Sequence, residues 1–194
     1  MVAIGSKICF IHIPRTAGTY VADVLEKAGY VKNLPGDTHN VPTKYKIRDR
    51  KPVTILREPM DWLNSYLKFI HYGGRCCLPF IDSLFDQAID NCNYSLEMPR
   101  VVRELSLADS IIDRSLEKFI LPKMVVVDYN QLEKGLLHVS LSTGYTDWSI
   151  HIIQQLKTSR VDFFSQEIQD NFRRNNPFIF EIYDRVKEKG YLEL

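Results

Sequence analysis

The chain has 194 residues, 45% of them hydrophobic, and a formal net charge of +1 at pH 7. This length and composition can bury one sizeable core, so we expect a single domain over residues 1–194. The small net charge argues against a nucleic-acid partner, which would require a clear basic excess. The sequence shows no signal peptide and no apolar run that could cross a bilayer, so we expect no membrane partner.

Cysteine usage favours a reduced, cytoplasmic setting. The adjacent Cys76 and Cys77 cannot easily bridge each other, although a bridge to Cys92 stays open as the alternative. Cys9 lies in an apolar run, which predicts a small core residue. No cysteine or histidine has the spacing of a metal site.

The first predicted element is a buried strand over residues 8–13, followed by a turn and a helix. β-branched and aromatic residues form the strand, and Pro14 ends it. Small residues at 16–19 let the backbone approach a ligand closely. The helical pattern starts at Tyr20 and stops at Gly29.

This strand, turn and helix together predict an anion site. Unpaired N–H groups and the positive end of the helix dipole converge at a helix N-terminus. Arg15 adds a positive charge with planar donors suited to phosphate, and Thr16 and Thr19 add hydroxyl groups. An ordinary strand-to-helix turn, capped by its threonines, is the alternative. The nucleotide-kinase motif G-x-x-x-x-G-K-[ST] does not occur.

A second apolar run, at 52–56, predicts a strand that ends at Arg57. A helix follows, with Pro59 in its first turn, where proline is tolerated. The apolar stripe of this helix is expected to pack in the core, and its members are Trp62, Leu63, Tyr66, Leu67 and Ile70.

A third apolar run, at 124–127, predicts a strand closed by Asp128, with a helix over 132–141 and a stop at Gly144. Residues 80–89 and 91–121 are predicted to be helical, the second stretch with breaks. Further along, Ser165 is predicted to cap a helix. A terminal helix over 176–189 is predicted to end at Gly190 and to bury Phe178, Ile182, Tyr183 and Val186.

Three short strands separated by helices predict an α/β fold, with a mostly parallel central sheet flanked by helices. In such sheets ligands bind at the carboxyl ends of the strands. Arg15 lies just past the first strand and Arg57 at the end of the second. We therefore expect both arginines in one crevice that binds more than one phosphate or sulfate group.

Two stretches resemble motifs of the sulfotransferases that use 3′-phosphoadenosine 5′-phosphosulfate (PAPS). The likeness is to the carbohydrate-type branch, which includes the heparan sulfate 2-O- and 6-O-sulfotransferases and bacterial relatives. The first family motif is roughly F-I-H-I-P-K-T-A-G-T, and residues 10–19 read FIHIPRTAGT. The second is roughly R-D-P-x-x-R-x-x-S, and residues 57–65 read REPMDWLNS.

The resemblance implies a P-loop nucleotide-kinase-like sulfotransferase fold that uses PAPS, releases 3′-phosphoadenosine 5′-phosphate (PAP) and requires no metal. It implies that Arg57 and Ser65 grip the 3′-phosphate. It also implies that the 5′-phosphosulfate is held by the first motif and the start of its helix, namely Arg15, Thr16, Ala17, Gly18, Thr19 and Tyr20.

Arg15 stands where the family has lysine. Arginine can hold phosphate oxygens and stabilise charge on the leaving group, which would make Arg15 catalytic as well. Arginine does not readily give up a proton, so a proton-donor role does not carry over.

His39 is the predicted base for the acceptor hydroxyl, since imidazole titrates near neutrality. Several relatives carry a histidine between the two motifs, often before a proline, as His39 precedes Pro42 here. A surface turn is the alternative, and Asp37, Glu58 and His71 are reserve candidates for the base.

Ser159 and Arg160 lie in a polar, basic turn, where the family places a loop near the nucleotide. We predict that they contact the nucleotide, with a solvated turn as the alternative. His12 is predicted to pack inside the strand, with contact to the phosphosulfate as the alternative. His138 and His151 are expected to be structural.

The predicted function is transfer of a sulfuryl group from PAPS to a hydroxyl, on a carbohydrate or small metabolite. Residues 72–79 and 91–121 are expected to build the acceptor site. An ATP-dependent phosphotransferase is one alternative. A degenerate PAP- or PAPS-binding protein without transfer activity is another, which the arginine at position 15 keeps open.

Overall fold

The computed structural model describes residues 2–4, 7–16, 21, 31–32, 47, 49–71, 94–144 and 164–194. By its internal contacts the chain separates into two compact units. The sheet unit comprises Met1–Glu58, Lys118–Leu156 and Ile182–Leu194. The helical unit comprises Pro59–Glu117 and Lys157–Glu181. The single domain expected from the sequence stays a prediction.

Across its described residues, the sheet unit has one six-stranded sheet. Its strands are β1 (Val2–Ile4), β2 (Ile8–Ile11), β3 (Val31–Lys32), β4 (Lys51–Leu56), β5 (Val125–Asp128) and β6 (Tyr191–Glu193). Their order across the sheet is β3-β1-β2-β4-β5-β6. The pairs β2–β4 and β4–β5 are parallel, while the pairs β1–β2, β1–β3 and β5–β6 are antiparallel, so β3 and β6 are the edge strands.

The described helices are α1 (Pro59–His71), α2 (Tyr94–Leu107), α3 (Ile111–Leu116), α4 (Leu132–Thr143), α5 (Gln166–Asn175) and α6 (Pro177–Lys189). Short 3-10 helices occur at Glu117–Phe119 and Tyr129–Gln131. None of these helices is long and apolar enough to cross a membrane.

The α/β architecture predicted from the sequence is confirmed, and its parallel core consists of the three apolar runs identified there. Ile11 pairs with Thr54, and Leu56 pairs with Asp128, so the carboxyl ends of β2, β4 and β5 lie at one edge. Every residue of these strands except Lys51 is buried. Burial on both faces explains why the strands are nearly continuous apolar runs rather than alternating ones.

Helix α4 and Val21 cover one face of the sheet. The hydrophobic cluster there joins Val21, together with Leu136 and Val139 of α4, to residues of three strands. The strand residues are Ile8, Phe10, Val53, Ile55, Val125 and Val127. Gly135 permits the close approach of α4. A Cβ atom at that position would overlap with Cγ1 of Val127 and lie 2.8 Å from the carbonyl oxygen of Gly190.

The predicted apolar stripe of α1 is confirmed, because all five of its residues are buried. The rings of Trp62 and Tyr66 stack with their centroids 5.5 Å apart. Both aromatic residues therefore belong to the core of the helical unit.

Helices α3 and α6 begin at a shared polar junction inside the helical unit. The Asn176 side chain, fully buried, accepts hydrogen bonds from the N–H groups of Ile112 at 2.6 Å and Asp113 at 3.2 Å, at the start of α3. In return, the Asp113 carboxylate accepts from the N–H groups of Phe178 at 3.2 Å and Ile179 at 2.9 Å, at the start of α6. Asp113 of α3 thus caps the start of α6, and Asn176, which directly precedes α6, caps the start of α3.

Helix ends follow the sequence prediction closely. Ser165 caps α5 by accepting from the N–H of Ile168 at 3.4 Å. Gly144 and Gly190, which end α4 and α6, adopt the left-handed conformation with φ of 65° and 81°. The helix predicted at 80–89 lies outside the described residues.

The predicted inward position of Phe178 is wrong, since this side chain is 39% exposed. The buried stripe of α6 runs instead through Ile179, Ile182, Tyr183 and Val186. This set has the i, i+3, i+4, i+7 spacing of one helix face, whereas Phe178 lies one position off that face.

Candidate functional site

Two arginines follow the carboxyl ends of neighbouring parallel strands. Arg15 comes shortly after β2, and Arg57 comes directly after β4. Because β2 and β4 are parallel and paired, both arginines lie beyond the same edge of the sheet. Arg15 is exposed and Arg57 is half-buried. This edge is the place where open α/β sheets bind ligands.

The turn after β2 is held in an unusual conformation. Arg15 has a φ of 68°, in the left-handed region, which costs about 1–2 kcal/mol for a residue with a Cβ. Thr16 is fully buried, and its hydroxyl donates a hydrogen bond to the Ile13 carbonyl at 2.7 Å. The hydroxyl proton of Thr16 therefore stabilises the turn, and it can serve a phosphate only if that bond breaks.

Arg57 contacts an aromatic ring in the turn that follows the neighbouring strand β5. Its Cζ atom lies 5.0 Å from the centroid of the Tyr129 ring, within the range of a cation–π interaction. The register explains this contact, because Leu56 pairs with Asp128 and the residues that follow emerge side by side. The Nε atom of Arg57 is buried. Tyr129 lies outside both sequence motifs and is not among the site residues predicted from the sequence.

The turn that carries Tyr129 is fixed by Asp128. Oδ1 of this buried carboxylate accepts from the N–H of Asn130 at 3.0 Å, and Oδ2 accepts from Nε2 of Gln131 at 2.9 Å. Nε2 of Gln131 also donates to the Lys187 carbonyl in α6 at 2.8 Å, and the N–H of Asp128 donates to the Gly190 carbonyl at 2.9 Å. Asp128 is therefore a structural carboxylate.

Two further candidates also follow the strand ends at this edge. His12 is buried directly after β2, and Glu58 is half-buried one residue after Arg57. Ser65 lies in α1, in the helical unit, and is 3% exposed. Eight predicted residues lie outside the described part of the chain, and their roles stay predictions: Ala17, Gly18, Thr19, Tyr20, Asp37, His39, Ser159 and Arg160.

The opposite, amino-terminal edge of the sheet has a pocket of about 450 Å³. It is lined by two lysines, two hydroxyls and two carboxylates, namely Lys7, Lys51, Ser142, Thr143, Asp49 and Glu193. The Nζ atom of Lys51 lies 3.7 Å from Oε2 of Glu193. The charges of these described lining residues balance, so they offer no excess of cations to bind a multivalent anion.

His138 is structural, as predicted. Its Nε2 atom lies 2.9 Å from Oε1 of Glu193, and its ring stacks on Tyr191 with centroids 3.6 Å apart. The hydrogen bond from His138, followed by the charge of Lys51, lowers the pKa of Glu193 against a smaller opposing effect of burial. These contacts join the edge strand β6 to helix α4.

Cys9 is a buried core residue, as predicted. Burial raises the pKa of its thiol to about 11, so the thiol is protonated at neutral pH and is not a nucleophile. Within the described ranges, no three histidine, cysteine, aspartate or glutamate side chains are grouped so as to hold a metal ion.

No family model, curated protein or solved structure matches this chain. The sulfotransferase resemblance therefore comes from the two sequence motifs alone.

Proposed function

We propose that this protein is a PAPS-dependent sulfotransferase with the nucleotide-kinase-like fold of that family. One observation supports this function above all. The arginines of the two PAPS-type motifs follow adjacent parallel strands and lie beyond the same edge of the sheet. PAPS carries phosphate groups at both its 5′ and 3′ positions, so two guanidinium groups at one edge suit its charge.

The residues present fit such a nucleotide. Arg15 is exposed in the turn after β2 and would face the 5′-phosphosulfate, while Arg57 after β4 would hold the 3′-phosphate. Each guanidinium group offers planar N–H donors that suit the oxygens of a phosphate. The hydroxyl of Thr16 donates within its own turn, so it supports the turn rather than a phosphate unless that bond breaks.

In the proposed reaction, a sulfur–oxygen bond forms to the acceptor hydroxyl while the bond from sulfur to the bridging phosphate oxygen breaks. PAP leaves with that electron pair, and His39 takes the proton of the hydroxyl. Arg15 stabilises the charge that develops on the leaving phosphate. Because arginine retains its proton, Arg15 acts by charge and hydrogen bonding only. The acceptor is a hydroxyl of a carbohydrate or small metabolite.

A second candidate function is a PAP- or PAPS-binding protein that transfers nothing. The arginine at position 15 favours it, because this residue replaces the lysine of the family's first motif. Both candidates require PAP binding. They differ in whether a bound sulfuryl group ever reaches an acceptor.

Thermal unfolding with added nucleotides tests the shared requirement. Saturating PAP, at a hundred times its Kd, should stabilise the protein by about 2.7 kcal/mol, since it binds the folded chain alone. Adenosine 2′,5′-bisphosphate is the matched control, because it has the same charge with one phosphate moved. Stabilisation by ATP with magnesium instead would indicate a phosphotransferase, and no response to either nucleotide would contradict both proposals.

Substitution of His39 separates transfer from binding. We expect His39→Ala to lower the rate of sulfuryl transfer about 10²–10⁴-fold, the usual contribution of a general base, while PAP affinity stays unchanged. Transfer of labelled sulfate from PAPS to a panel of sugars measures the rate. A His39→Ala variant as active as the wild type would remove His39 from the mechanism, and a wild type that binds PAP but never transfers would establish the second candidate.

A further inference from the structure

We propose that Tyr129 is a positioning residue for the nucleotide site, holding the guanidinium of Arg57 in place for the 3′-phosphate. The inference rests on the proposed function, since it assigns Arg57 to that phosphate. It adds a residue from a third strand end, outside both motifs, to the machinery at this edge of the sheet.

The contact between the two side chains has the geometry that this role requires. Cζ of Arg57 lies over the Tyr129 ring, 5.0 Å from its centroid. A cation–π interaction attracts the charge of the guanidinium to the face of the ring, whereas bidentate phosphate binding uses the planar N–H donors, so the two interactions differ in kind and can coexist. The ring therefore restrains the side chain while leaving its mode of phosphate binding intact.

Tyr129 is itself held firmly. Its ring is half-buried and packs against the hydrophobic cluster beneath helix α4. The preceding residue, Asp128, accepts hydrogen bonds from Asn130 and Gln131, which fix the 3-10 turn. Gln131 in turn donates to the Lys187 carbonyl, near the end of α6.

This support matters because an arginine has four side-chain torsions to order when it binds. A side chain that is already restrained loses less conformational entropy on binding, so the restraint appears as affinity. Removing the ring should weaken PAP binding although Tyr129 itself needs no contact with the nucleotide. Removing only the hydroxyl group of the ring should leave PAP binding unchanged.

Calorimetric binding of PAP to a set of variants tests the proposal. We expect Tyr129→Leu to weaken PAP binding about threefold to tenfold, and Tyr129→Phe to bind within about twofold of the wild type. The Arg57→Ala background provides the decisive control, because it leaves no guanidinium for the ring to hold. There, Tyr129→Leu should cause less than about a twofold further loss.

Each outcome is distinct from failure of the proposed function. A wild type that does not bind PAP overturns the function and this inference together. If the wild type binds and Tyr129→Leu binds equally well, or loses affinity equally in both backgrounds, the inference alone is wrong. Should Tyr129→Leu fail to fold in thermal unfolding, Tyr129→Met replaces it with the same expected losses.

Discussion

In the helical unit, buried Asp113 and Asn176 use their side-chain oxygens to cap two helices across one junction. In the sheet unit, Arg15 and Arg57 follow strand ends, where they are exposed or half-buried. The first pair is saturated by backbone groups and fixes the fold. The second pair places two positive charges beyond one edge of the sheet, where open α/β sheets bind ligands. Burial and position thus separate structural polar residues from candidate functional ones.

The largest expected effect on stability is at the junction. Asn176→Ala should lower the free energy of unfolding by about 3 kcal/mol, because two backbone N–H groups of α3 lose their acceptor in a buried site. The matched control is Asn175→Ala, since Asn175 is only partly buried and its side chain donates to the Ser106 carbonyl at 2.9 Å. Urea unfolding measures both. Equal losses for the two variants would contradict a special role for the junction.

The pH dependence of stability sharpens the same comparison. Burial is the largest cause that raises the pKa of Asp113, with Glu117 and Asp109 adding to it, although hydrogen bonds from Ile179 and Phe178 oppose the rise. The folded state then binds this proton more readily than the unfolded state. The contribution of Asp113 to stability therefore falls as pH rises from its unfolded pKa through its raised folded pKa.

Asp113→Asn removes this titration while keeping a side-chain oxygen that can accept a hydrogen bond from the start of α6. We expect the wild type to gain stability relative to the variant as pH falls from neutral through that window. Urea unfolding at several pH values measures the difference. A wild type that loses stability relative to the variant on acidification would show that the helix N–H groups dominate over burial.

A smaller effect of opposite sign is expected in the sheet unit. His138 and Lys51 lower the pKa of Glu193, so its contribution to stability is present above its unfolded pKa and is lost as pH falls through the folded value. Glu193→Gln should flatten that loss by less than about 0.5 kcal/mol, since the pair is exposed and screened by solvent. Urea unfolding of the wild type and the variant at neutral and acidic pH measures this difference. If the wild type gained stability relative to Glu193→Gln on acidification, as expected for Asp113, the prediction would be wrong.

The parallel core of the sheet was predictable from the sequence, whereas its short antiparallel strands were not. Strands β2, β4 and β5 are buried on both faces, so they appear in the sequence as apolar runs bounded by prolines and charged residues. The antiparallel strands β1, β3 and β6 have only three, two and three residues. Strands so short contain too few residues for an alternating or apolar pattern to stand out. The two edge strands, β3 and β6, also pair with partners distant in the sequence.

The candidate site was only partly predictable. The rule that ligands bind at the carboxyl ends of parallel strands placed Arg15 and Arg57 at one edge of the sheet, because it needs only the order of strands and helices. The contact of Arg57 with Tyr129 depends on the register of β4 against β5, which the sequence does not reveal. A signal did exist, since the third apolar run is followed by Asp128 and Tyr129, and the same rule applied there points to this turn.

The most direct test of the central claim is calorimetric binding of PAP to the wild type, Arg57→Ala and Arg185→Ala. Arg185 is an exposed residue of α6, so its substitution removes an equal charge elsewhere in the sheet unit. We predict that the wild type binds and that Arg57→Ala binds roughly ten- to a hundred-fold more weakly, the loss of one charge-assisted phosphate contact. Arg185→Ala should bind like the wild type. Absence of binding by the wild type, or equal losses in the two variants, would contradict a PAPS site at this edge.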